Sequence, residues 1–113
     1  MIVQKSDILL LCHRRMFAED QPRFFVGSVD NCEDGLVLIS GYSWIRDGVS
    51  GLLKRKDDQR TKVVSLLSGT TLVYQLPRDT DIMSLRIEPG EKQQLILFDG
   101  KGFSMDITDH HAA

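Results

Sequence analysis

Turn signals punctuate this chain at short intervals: Asp34-Gly35, Asp47-Gly48, Ser68-Gly69, Pro89-Gly90 and Asp99-Gly100-Lys101-Gly102. Apolar runs rich in β-formers fill the gaps between them. That rhythm suits short antiparallel strands joined by tight turns, and leaves little room for long helices. The predicted fold is therefore all-β. A single domain over residues 1–113 would form a small antiparallel β-barrel, closed or nearly closed, of about seven to nine short strands.

A chain of 113 residues is long enough for one modest core without disulfide or metal staples. Its net charge of −2 excludes a strongly basic nucleic-acid binder, although local patches remain open. Residues 1–62 carry 10 basic and 9 acidic groups, and residues 63–113 carry 4 and 7. Cys12 and Cys32 have neither zinc-ligand nor redox-pair spacing and read as small hydrophobes. The longest apolar run, Ile8 to Cys12, is far shorter than the roughly 20 residues of a membrane span. Asp7 directly before it spoils a signal-peptide pattern. The expected location is cytoplasmic, with no membrane partner.

Residues 8–12 fit either a buried strand or a short helix capped by Ser6. Phe24, Phe25, Val26 and Val29 read as one strand, and Leu36 to Ile45 as the next. The second is apolar on both faces: Leu36, Leu38, Tyr42 and Trp44 on one, Val37, Ile39 and Ile45 on the other. Such a strand needs cover on both sides, from its own barrel or from another subunit. Gly41 within it suggests a bulge or sharp bend. Gly51 to Lys62 reads as an exposed charged hairpin or loop. Lys62–Leu67 and Thr70–Leu76 read as strands joined at Ser68-Gly69, with Pro77 ending the second. Asp79-Thr80-Asp81 offers caps for one helical turn over Ile82, Met83 and Leu85. At the end of the chain, Phe103, Met105 and Ile107 alternate with Ser104, Asp106 and Thr108, which predicts one buried and one wet face. The tail from Asp109 is expected to fray.

No catalytic or metal-binding signature stands out. His13, His110 and His111 are not spaced as ligands, and the two in the tail lack a packing partner. Asp99 and Asp106 flank a turn whose Asp-Gly-Lys-Gly sequence is what a tight hairpin requires of its backbone. Gly100 and Gly102 lack the strand–loop–helix setting of a phosphate cradle. No cofactor is implied. The segment 54–62 is the local exception, with five basic and two acidic residues. Lys54, Arg55, Lys56, Arg60 and Lys62, with Arg46 and the ring of Trp44 nearby in sequence, form a candidate ligand-binding set.

Two resemblances follow from these segments. Gly27 to Ile39, a strand entering a turn and then a long bent strand, resembles the first half of an Sm-like small barrel. That likeness implies ring assembly by edge-strand pairing and, in many members, RNA binding. The family's Asn-bearing base loop and its Arg-Gly motif have no counterpart here. Asp30 and Gly35, with Cys32 in the place of a serine, resemble the Asp-x-Ser-x-x-Gly turn of PilZ barrels. The resemblance implies a cyclic dinucleotide ligand, though that family's upstream Arg-x-x-x-Arg is met only by Arg14-Arg15. The residues together point to a non-enzymatic binding or assembly module that self-associates as a homo-oligomer through edge strands. The alternative is nucleotide or nucleic-acid binding through the 54–62 segment and Trp44.

Overall fold

Asp34 and Gly35 both adopt positive φ, 50° and 82°, which lets a two-residue turn match the twist of the strands it joins. Those strands are the two longest of the chain. The computed structural model describes residues 2–14 and 22–108. Its strands are β1 (Ile8–His13), β2 (Arg23–Glu33), β3 (Leu36–Arg46), β4 (Leu53–Arg55), β5 (Arg60–Ser65), β6 (Thr71–Leu76), β7 (Arg86–Pro89), β8 (Leu95–Phe98) and β9 (Ser104–Asp106). The fold is all-β, and every strand pairing is antiparallel. The expected helical turn is present as a 3-10 turn, Ile82–Ser84, capped by the Asp81 carboxylate on the Met83 N–H. Residues 8–12 are strand, and their apolar character on both faces is explained by a central position between β2 and β6.

The larger sheet runs β4-β3-β2-β1-β6, with β5 also paired to β3; β7-β8-β9 make a smaller sheet. The charged stretch 51–62, expected as an exposed hairpin or loop, is exposed from Lys56 to Lys62 but belongs to two strands of the sheet. β4 pairs with the end of β3 (Trp44↔Arg55) and β5 with its start (Gly41↔Arg60), so the two form one edge interrupted at residues 56–59. Likewise β5 and β6 are joined through Ser68-Gly69 without pairing to each other. They lie on opposite edges of the sheet.

That connection shows how strongly the sheet is curled. Ser65 pairs with Leu36 at one end of β3, whereas Thr71 pairs with His13, which pairs with Arg23 at the far end of β2. On a flat sheet the two points would lie about 19 Å apart across the strands and about 33 Å apart along them. Six backbone steps reach at most about 22 Å. The sheet must fold over itself, and it does so at Gly27 and Gly41, which face each other across β2 and β3. A Cβ on Gly41 would sit 2.0 Å from the Val26 carbonyl oxygen, and one on Gly27 would sit 2.6 Å from that of Ser40. Gly41 thus marks a bend; the bulge lies elsewhere, between Val29 and Asn31.

Curling creates two cores. Inside the fold, Leu9, Leu11, Phe25, Val29, Val37 and Ile39 pack together with Val64, Leu66 and Val73. On the outside, Ile8, Leu10, Phe24, Val26, Trp44 and Leu53 pack beneath Leu85, Ile87, Leu97 and Ile107 of the smaller-sheet segment. The expected closed barrel is not formed: the β5 and β6 edges stay unpaired with one another. The smaller sheet does not fill the gap, because its apolar residues are spent on the outer core. The terminal register is as predicted in direction. Ile107 is buried, Phe103 and Met105 are half-buried against the outer core, and Ser104 and Asp106 face water. The tail from Asp109 lies outside the described residues.

One buried carboxylate ties the ends of this arrangement together. Asp7 accepts hydrogen bonds from the Gln4 N–H (2.8 Å), the Gln75 amide (3.1 Å) and the Arg78 guanidinium (2.9 Å). It thus links the residues before β1 to those around the end of β6.

The bend yields a matched test. Gly41→Ala should lower stability by about 1–3 kcal/mol or more, because backbone atoms on the neighbouring strand must move. Gly48→Ala, with nothing within 4 Å of its added Cβ, should stay within about 0.5 kcal/mol of wild type. Urea unfolding of both variants checks the contrast.

Candidate functional site

Where the curled sheet leaves its edges unpaired, a groove of about 970 Å³ opens. The register builds its floor. Leu11 pairs with Phe25 and Phe25 with Ser43, so these three form a row on the inner face; His13 and Arg23 form the next row. Ile45 continues that face along β3. Across from them stand Arg60, Lys62 and Val64 of β5, and the end is closed by Arg46, the Asp47–Gly51 turn and the Lys56–Asp58 stretch. Lys62 is directed inward because it pairs with Ile39, and its ammonium lies 4.6 Å from the centre of the Phe25 ring.

The lining is cationic above an apolar floor. Among the described lining residues, Arg23, Arg46, Lys56, Arg60 and Lys62 are set against Asp47 and Asp58, a net of +3. Arg60 is engaged with Asp58 (Nε to Oδ2, 2.7 Å). Among the described residues, no carboxylate lies within ion-pairing distance of Arg23, Lys56 or Lys62.

Both groove carboxylates are held in their charged form. The Ser50 hydroxyl, then the Ser50 and Val49 backbone N–H groups, pull Asp47 down to about 2 from an ordinary 3.8, with Lys54 assisting. Asp58 lies below its ordinary value through its own backbone N–H and then the Arg60 guanidinium. Neither is poised to take up a proton near neutrality, so they act as anchors for the surrounding loops. Elsewhere the Gln4 N–H, then Arg78 and Gln75, lower Asp7 against the opposing effect of burial. The Ser84 hydroxyl, then the Met83 N–H, lower Asp81.

The residues expected to act together are divided between the two faces. Arg46, Lys56, Arg60 and Lys62 line the groove. Trp44 does not: it is only 1% exposed, packed in the outer core on the opposite face, so it offers no stacking surface. Arg55 shares that face because it pairs with Trp44; it lies 5.1 Å from the centre of the Tyr42 ring and donates to the Met83 carbonyl at 3.2 Å. Lys54 lies 3.4 Å from Asp47 and, with Arg55, borders a second cleft of about 670 Å³ near β7. The sequence reading missed His13, Arg23 and Ile45. Alternation along each strand assigns their face, but only the strand register brings them to one groove.

The residues behind the PilZ resemblance have structural partners. Asp30 accepts a hydrogen bond from the Ser40 hydroxyl, the Cys32 thiol donates to the Val3 carbonyl at 3.3 Å, and Gly35 makes the hairpin turn. Arg14 donates to the Gly69 carbonyl at 3.1 Å. No three His, Cys, Asp or Glu side chains come together among the described residues. His110 and His111 lie outside them. No described helix is long and apolar enough to cross a membrane. Comparison with family models, curated proteins and solved structures finds no match for this chain.

The four lowered carboxyls set a pH dependence. On acidification the unfolded chain takes up their protons first, so each contributes stability that is complete above the ordinary value of 3.8 and is lost as pH falls towards the folded value, about 2 for Asp47. Thermal unfolding followed at pH 7, 4 and 2.5 should show little change over the first interval and a marked drop in Tm over the second. Asp7→Asn should have a lower Tm at pH 7 and a shallower acid drop than wild type.

Proposed function

We propose that this chain is a non-enzymatic binding module that holds an anionic ligand in the groove between β5 and the inner face of β1–β3. The observation that carries this reading is the net +3 of the described lining residues in a chain of net −2. Positive charge gathered in a concave site raises the local concentration of anions and strengthens contacts with them. The nucleotide or nucleic-acid alternative keeps the cations Arg46, Lys56, Arg60 and Lys62 but loses its stacking platform, since Trp44 is buried. The two free cysteines are consistent with a reducing, cytoplasmic setting.

Calorimetric titration with inorganic tripolyphosphate tests the anion site. Affinity should fall as salt rises from 20 to about 150 mM, because exposed charges are screened over about 8 Å at the higher value. An Arg23→Gln/Lys56→Gln double variant should bind about tenfold more weakly, as expected for the loss of charge-assisted hydrogen bonds. Equal binding by the variant, or none by wild type, would rule out the groove as an anion site.

A second reading, self-association, is favoured by a different surface. The smaller sheet covers only part of the outer face, and beyond it the cross-strand pair Leu38 and Val63 stays 37% and 68% exposed. Leu36 extends this apolar strip beside the free β5 edge. The Sm-like resemblance of residues 27–39 implies assembly of the same kind, by edge pairing between copies. Light scattering from low to high micromolar concentration should show the mass rising for wild type and staying monomeric for Val63→Lys. A wild-type monomer throughout would refute this reading.

A further inference from the structure

We propose that the ligand of the groove is an anionic amphiphile: an aliphatic chain lying on the inner-face floor, with a phosphate- or carboxylate-type head held by the Arg and Lys side chains of the lining. This rests on the anion-binding reading above and narrows it. Three observations point away from a polar polyanion and towards a molecule with an apolar body.

The groove leads into an apolar interior. Leu11, Phe25 and Val64 belong both to its lining and to the inner core, and Ile45 presents a 40% exposed side chain at its side. Among the described residues no second layer of strands covers this part of the sheet, because the smaller sheet packs on the opposite face. Leu11 and Phe25 are themselves buried, so the apolar surface open to an occupant is that of Ile45 and the half-buried Val64. Such surface, enclosed by a curled sheet, favours an apolar occupant.

Among the described residues the groove presents no exposed ring on which a base could stack. Its described aromatic rings are Phe24 and Phe25, 5% and 4% exposed, and Lys62 lies over the face of Phe25. Single-stranded nucleic acid gains much of its sequence-tolerant affinity from stacked bases, which the described lining does not supply. An alkyl chain needs only the methyl and methylene surface that is present.

Finally, the cations gather around one groove. Lys62 holds its ammonium 4.6 Å from the centre of the Phe25 ring, above the floor, while Arg23, Lys56 and Arg60 line the same groove. Asp47 and Asp58 interrupt them. One compact anionic head fits this spacing better than a run of phosphates. The volume of about 970 Å³ falls within the range of about 300–1,000 Å³ typical of small-molecule sites.

The test compares dodecyl phosphate, octyl phosphate, inorganic phosphate, uncharged dodecyl maltoside and a twelve-residue oligothymidylate, each titrated into the full chain below its micellar concentration. A fully buried methylene contributes about fourfold in affinity. Dodecyl phosphate should therefore bind at least about tenfold more tightly than octyl phosphate, even in an open groove. Backbone amide shifts should move at Gly48, Gly51 and Thr71, which line the groove, and stay fixed at Gly100. Ile45→Asn should reduce the dependence on chain length, whereas Lys56→Gln should weaken both alkyl phosphates by a similar factor. Both sites are at the surface, and unchanged urea midpoints confirm folding. Binding of inorganic phosphate as tightly as dodecyl phosphate would overturn the amphiphile and leave the anion site standing. Tighter binding of the oligothymidylate would overturn it in favour of nucleic acid. Equal binding of dodecyl maltoside would reduce the effect to non-specific detergent adsorption, and no binding of any anion would remove both readings.

Discussion

At Gly27 and Gly41 the backbones of β2 and β3 approach so closely that neither position has room for a methyl group. A side chain on either would push the strands apart and flatten the sheet. With both absent, the long hairpin bends, and Leu9, Leu11 and Phe25 come to face Val37, Ile39 and Val64 in one core. The short 66–70 connection can then join opposite edges of the sheet. The inner core, the route of the chain from β5 to β6 and the groove all depend on this contact. Hydrophobic burial stabilises the bent state, but the glycine pair makes it sterically available.

The all-β class was legible because turn chemistry is local. Asp34-Gly35, Ser68-Gly69 and the Asp81 cap act within a few residues of themselves, and the alternation from Phe103 to Ile107 needs no knowledge of its partner strand. Closure was not legible, because it depends on which edges meet. An interrupted edge such as β4/β5 looks in sequence like a charged loop, since residues 54–62 are an unbroken polar and charged run that hides the pairing with β3.

The candidate site was half legible for a related reason. Charge density singled out 54–62, and four of the seven residues placed in the site, Arg46, Lys56, Arg60 and Lys62, do line the groove. Closeness in sequence grouped with them Trp44 and Arg55, which lie on the other face of the sheet. In a strand, neighbours point to opposite faces, and β3 is apolar on both, so nothing in its own pattern shows which face the smaller sheet will cover. Arg23 and His13 were missed because only the pairings of β1 with β2 and of β2 with β3 set them on the face of a groove whose β5 cations lie more than thirty residues away in sequence.

The two faces of the larger sheet divide the work of the molecule. The outer face gives Trp44 and its neighbours to the core beneath the smaller sheet, whose segment of chain, residues 77–108, carries 6 acidic against 4 basic groups. The inner face keeps an apolar floor and gathers cations around the groove. Charge is thus separated across the sheet in a chain that is nearly neutral as a whole. On the proposed reading, an anion approaching the groove meets a positive surface. The bend contributes to that surface, because on a flat sheet the backbones of Arg60 and Lys62 would lie roughly 16 and 22 Å from that of Arg23.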